Sequence, residues 1–111
     1  MEIKEGSTAY INIIFLNKNN IPEEPSTIQY RIDDVATDEM IRGVTDIAPA
    51  TSVEIVMEPS DTRILNSSNK QENHKITVVA VYGDYDQVTG ELIVKILPLA
   101  KVAGNPPAIV D

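Results

Sequence analysis

The sequence predicts an all-β fold, a sandwich of about seven short antiparallel strands. Three observations carry that expectation. Five runs place apolar residues at every second position: Ile11, Ile13 and Phe15; Ile28, Tyr30 and Ile32; Val53, Ile55 and Met57; Ile76, Val78 and Ala80; Leu92, Val94 and Ile96. A period of two marks a strand with one buried face. Polar turns separate the runs, and all five fit within 111 residues, the size of one domain.

The elements follow in order. Residues 1–6 are a short polar lead with room for an edge strand. Residues 7–17 form the first confident run, with Ala9, Ile11, Ile13 and Phe15 on one face and Tyr10, Asn12, Ile14 and Leu16 on the other. A strand apolar on both faces is expected at the centre of a sheet or under a partner. Residues 18–26 read as a loop, dense in Asn and Pro, because each Pro removes a ladder donor. Residues 27–35 form the second strand, with Gln29, Arg31 and Asp33 on a wet face. In 36–49, Met40, Ile41, Val44 and Ile47 have helix-like spacing, but Gly43 and its β-branched neighbours disfavour a helix. A short strand over 40–44 and a following turn are expected there. Residues 51–57 form a strand with Glu54 pointing out. Pro59 suits a first helical position, so 59–65 read as a single helical turn crossing between sheets. Residues 66–73 are a polar loop, 75–82 a strand, 83–90 a hairpin connection and 91–97 the last strand. The expected organisation is a sandwich domain over 1–98 and a flexible tail over 99–111, where Pro106 and Pro107 follow Gly104 and Asn105. Its expected topology is immunoglobulin-like or fibronectin-like, with Greek-key connections.

Composition narrows the function classes. One core of about 25 apolar side chains is feasible at this length, and a second is not. The formal net charge of −8 repels phosphate backbones and anionic membrane surfaces, so neither nucleic acid nor membrane is an expected partner. Without cysteine, disulfides, thiolate metal sites and cysteine nucleophiles are excluded. The first residues lack a basic segment followed by an apolar one, and no apolar stretch reaches membrane-spanning length. Cytoplasmic synthesis is the expectation.

The chemistry-bearing residues are sparse. Asp84 and Asp86 share a loop, but a calcium loop needs a longer ligand series, and turn chemistry accounts for both aspartates. His74 is the only histidine and is expected at the surface, at the start of a strand. No Gly-x-Ser-x-Gly elbow or Gly-rich phosphate loop is present. The chain has no Trp, one Phe and four Tyr, too few for a sugar-stacking platform. No catalytic residue, cofactor or metal ligand is assigned, and the chain is not expected to be an enzyme. Tyr82 is expected to pack on the core face and tether a corner by its hydroxyl. Tyr85, in a loop, is a candidate partner contact. Ile14, Leu16, Val79, Val81, Ile93 and Leu97 lie on the second faces of three strands. If those strands are neighbours, the six form an apolar stripe. Such a stripe is either a subunit interface or covered by the second sheet or the tail.

Four segments carry a resemblance: Gly6-Ser7-Thr8-Ala9-Tyr10 leading to Phe15; the run from Pro25 through Tyr30-Arg31-Ile32-Asp33-Asp34; Ala50-Thr51-Ser52-Val53-Glu54-Ile55; and Thr77-Val78-Val79-Ala80-Val81-Tyr82-Gly83. Together, over residues 5 to 97, they resemble small immunoglobulin-like proteins of tailed-bacteriophage and prophage structural modules. The stretch from Tyr30 to Asp34 is the most specific. The resemblance implies a non-enzymatic component of a virion head, neck or tail, made in the host cytoplasm. Its implied partners are other phage structural proteins or further copies of itself. The Cys and Trp of antibody domains are absent, which argues against a true antibody-type domain. The competing expectation is an immunoglobulin-like ligand- or glycan-binding module of a bacterial surface protein, which calls for exposed aromatics and an export signal.

Overall fold

In the computed structural model, which describes residues 1–98, the chain is all-β. Seven strands make two layers: β1 (Glu2–Lys4), β2 (Ala9–Ile14), β3 (Thr27–Asp34), β4 (Met40–Ile47), β5 (Ser52–Met57), β6 (Glu72–Tyr82) and β7 (Asp86–Leu97). One layer has the order β1-β7-β6-β3-β4 and the other pairs β2 with β5. All pairings are antiparallel except β1 with β7, which run parallel. The alternating runs define the inner faces. Ile28, Tyr30, Ile32, Ile76, Val78, Ala80, Val94 and Ile96 of the large sheet share one core with Ala9, Ile11, Phe15, Val53, Ile55 and Met57 of the small side. This is an arrangement of β-sandwich type. The expected tail, residues 99–111, lies outside the described residues.

Four expectations need correcting. Of the two places expected for β2, a sheet centre or under a partner, the first is ruled out: it pairs only with β5 among the described strands, and Tyr10 and Ile14 on its second face are exposed. Residues 59–65 form a hydrogen-bonded turn, with the Asp61 amide donating to Glu58 O, and no helix. Asp61 and Thr62 use their side chains for tertiary bonds instead, and Thr62 Oγ1 donates to Ser7 O at 2.7 Å. β7 begins at Asp86, five residues earlier than expected, because the hairpin turn is only Gly83, Asp84 and Tyr85. Gly83 supplies the positive φ, 64°, that this tight turn needs. Residues 86–91 of β7 are exposed, so no buried alternation reveals them. β6 likewise starts early, at Glu72, because two polar residues occupy its inner face.

Tyr82 does tether a corner. Its hydroxyl donates to Leu16 O at 2.9 Å, tying the end of β6 to the chain leaving β2. Burial pushes the Tyr82 phenol pKa up, and the nearby Glu23 carboxylate adds to the effect. Tyr82→Phe is expected to cost about 1 kcal/mol, the net worth of one hydrogen bond, read as a small fall in the urea midpoint with an unchanged m-value. A midpoint equal to wild type would show the tether to be idle.

Candidate functional site

The two ends of β6 differ in chemistry. Its 11 residues separate the ends by about 30 Å. At the Tyr82 end lies an open cleft; at the Glu72 end lies a buried polar cluster.

The seven expected contact residues do not form one patch. Val79, Val81, Ile93 and Leu97 lie on the outer face of the large sheet. Val79 and Val81 are flanked by Gln29 and Thr27 on β3 and by Thr89 and Gln87 on β7. The Thr77–Glu91 pair separates them from Ile93, which sits opposite Lys75, and Leu97 lies further on beside Lys4. Ile14, 67% exposed, is on the outer face of the other sheet. Tyr85, 88% exposed, is at the hairpin tip. The strands carrying these residues are not all neighbours, so the stripe is divided between two surfaces.

Leu16 alone of the seven lines the larger cleft, about 560 Å³, between the β2–β3 connection and the β6–β7 hairpin. Asn17, Lys18, Asn19 and Glu23 face Tyr82, Asp86, Gln87 and Val88 across it. A narrower recess of about 150 Å³ shares Leu16, Tyr82 and Val88 with it and adds Ile13, Ile14, Phe15, Val78, Ala80 and Gly90, so Ile14 and Leu16 meet there. The loop side is held by Asn17. Its Oδ1 accepts from the Asn19 and Ile21 amides, and Asn20 takes the left-handed conformation that Asn tolerates. The hairpin side is an open edge. β1 covers β7 only at Lys95, Ile96 and Leu97, so residues 86–94 have no strand beyond them among the described residues. Val88, 55% exposed on the inner face, stands between this edge and the recess. The sequence reading missed it, because Val88 fell in the expected connection.

The polar cluster overturns the expected surface position of His74, whose exposure is 0%. β6 points Glu72 and His74 inward, and β3 brings Asp34 opposite His74. His74 Nδ1 lies 2.9 Å from Asp61 O; a carbonyl only accepts, so Nδ1 carries a proton. Nε2 faces Glu72 Oε1 at 3.1 Å and Asp34 Oδ1 at 3.9 Å. Glu72 also accepts from the Leu65 and Asn66 amides and from Asn69 Nδ2, at 2.8, 3.0 and 2.8 Å. Burial pushes the Glu72 carboxyl up, but the bonds from Leu65, Asn66, Asn69 and His74 outweigh it and hold it below its ordinary value. Asp34 Oδ2 accepts from the Thr37 amide and hydroxyl, whereas buried Asp34 Oδ1 has no hydrogen-bond partner among the described residues.

Asp61 joins this cluster to a second one. Its carboxylate takes a two-pronged bond from Arg42, at 3.0 and 2.6 Å, and accepts from the Glu58 amide at 2.8 Å. The Arg42 pKa is raised, chiefly by the bond to Asp61. Asp34, Glu72 and His74 are the residues positioned to hold a metal ion, their donor atoms lying within 4.8 Å of one another. Asp84 and Asp86 are exposed at the hairpin and form no such group among the described residues. Sequence signals for the cluster were weak: Glu72 and His74 two residues apart at the start of β6, and Asp34 far from both in the chain.

No known family, curated protein or solved structure matches this chain. Among the described residues, no helix is long and apolar enough to cross a membrane.

Proposed function

We propose that the chain is a non-enzymatic interaction module, an immunoglobulin-like sandwich that joins a larger assembly by adding its open β7 edge to an extended segment of a partner. The carrying observation is the outer edge of β7 at residues 86–94, which has no strand beyond it among the described residues and lies beside an apolar recess. A strand edge offers main-chain donors and acceptors, and a recess beside it selects side chains. The immunoglobulin-like part of the reading rests on strand order. The chain passes between sheets from β1 to β2, from β2 to β3, from β4 to β5 and from β5 to β6, and the last two described strands form a β6–β7 hairpin. Interleaved crossings of this kind are those of Greek-key sandwiches. The segments resembling tailed-phage structural modules make a virion the proposed assembly, with other phage structural proteins as partners and the host cytoplasm as the place of synthesis.

The test joins two measurements. Leu16→Glu with Val88→Glu puts charge into the cleft at half-exposed positions, so the melting temperature is expected to stay near wild type. Particles purified from the source strain are expected to contain the wild-type chain and to lose the double variant, read by mass spectrometry of separated heads and tails. Intact particles that never contain the wild-type chain would refute the virion role. Particles that retain the folded double variant would refute the β7 edge as the contact.

A further inference from the structure

We propose that Asp34, Glu72 and His74 form a three-ligand site for one divalent ion of the zinc type, which ties the end of β3 to the start of β6. The donor set is one imidazole nitrogen and two carboxylate oxygens, buried together. Zinc takes such mixed nitrogen and oxygen ligands at about 2.0–2.2 Å. Donor atoms around one zinc therefore lie roughly 3–4 Å apart, the range of the His74 Nε2 distances to Glu72 and Asp34, 3.1 and 3.9 Å. Calcium needs about six to eight oxygens and magnesium a near-octahedral oxygen shell, and a buried imidazole suits neither.

Two independent features point to a ligand. Asp34 Oδ1 is buried, aimed at His74, and without a hydrogen-bond partner among the described residues. A buried lone carboxylate oxygen is costly and calls for a cation. Each ligand is also held from behind. His74 Nδ1 donates to Asp61 O, the arrangement that orients most metal-bound histidines. Asp34 is fixed through Oδ2 by Thr37, and Glu72 through Oε2 by Asn66 and Asn69 and through one lone pair of Oε1 by the Leu65 amide, which leaves the other for the ion. The atoms left to face one another are His74 Nε2, Asp34 Oδ1 and Glu72 Oε1. The charge also balances, since two carboxylates and a neutral imidazole match one divalent ion. The rival occupant is a proton on Nε2.

The full chain, stripped with a chelator, is titrated with zinc chloride by calorimetry and by nitrogen NMR of the ring. His74 is the only histidine, so its two ring nitrogens are read without overlap. The expected result is one zinc per chain, a shift of Nε2 on binding, and a proton retained on Nδ1. Supporting bonds behind a ligand typically control affinity by about 10–100-fold, so Asp34→Asn is expected to weaken binding by at least about a hundredfold. Asp84→Asn with Asp86→Asn should leave it unchanged. Both nitrogens staying protonated in excess zinc would overturn the proposal in favour of the proton. Affinity lost in the Asp84/Asp86 variant and kept in Asp34→Asn would overturn it in favour of surface binding. Should Asp34→Asn fail to fold, the wild-type ring spectrum decides alone.

Discussion

Glu72→Ala is expected to lower stability by about 3 kcal/mol, measured by thermal unfolding in the presence of a chelator. The carboxylate accepts from Leu65 N, Asn66 N and Asn69 Nδ2, and its Oε1 faces His74 Nε2 at 3.1 Å. Each buried donor left without a partner costs about 1–3 kcal/mol. The cost does not simply add over these partners, because Asn66 and Asn69 sit on an exposed loop and regain water. The fully enclosed ring of His74 cannot. For a domain of this size the loss corresponds to a fall of about 10–20 °C in Tm. Glu72→Gln recovers only part of it, since the amide sets a donor against the Leu65 or Asn66 amide. A Tm within about 3 °C of wild type for Glu72→Ala would show that the connection holds itself without Glu72.

Arg42 and Asp61 are expected to give unequal losses. Asp61 is 2% exposed, whereas a quarter of the Arg42 side chain reaches solvent. Arg42→Met therefore strands a buried carboxylate, and removing one partner of a buried pair costs about 3–5 kcal/mol. Asp61→Asn leaves a guanidinium that keeps water and Glu58, and it is expected to cost less, about 1–2 kcal/mol. The double variant should cost less than the sum of the two, because the second change removes the charge that the first exposed. Denaturant unfolding of all four proteins measures the cycle. Equal single losses with strict additivity would mean that the two side chains act independently.

Much of the layering was legible because it rests on alternation. Ile28, Tyr30 and Ile32, or Ile76, Val78 and Ala80, can bury one face only as strands, and each run is a strand in the structure. What stayed illegible lay where polar residues take apolar roles or exposure removes the pattern. His74 and Glu72 occupy inner positions of β6, but hydropathy cannot distinguish a buried, fully bonded histidine from a surface one. Asp86, Gln87, Val88 and Thr89 form strand through hydrogen bonds to β6 alone, so no face of theirs carries a signal. Ile14 and Val79 both read correctly as second-face residues. Their separation onto opposite layers depends on pairing, which alternation within one strand does not encode. The metal-type cluster was hidden for a related reason: Asp34 and His74 meet only through the β3–β6 register.

The parallel pairing of β1 with β7 has a mechanical consequence. Glu2, Ile3 and Lys4 align with Lys95, Ile96 and Leu97, clamped at the two ends by Lys95 N to Met1 O and Glu5 N to Leu97 O, both 2.8 Å. Tension applied at Met1 and at Leu97 pulls the two strands past each other along their common axis. The bonds between them are then loaded in shear and share the force, instead of peeling apart one after another. Tension applied at Glu72 and at Leu97, neighbours at the open end of the antiparallel β6–β7 pair, has no such protection, because that ladder opens bond by bond from this end like a zip. The direction of pull therefore decides how firmly this fold resists stretching.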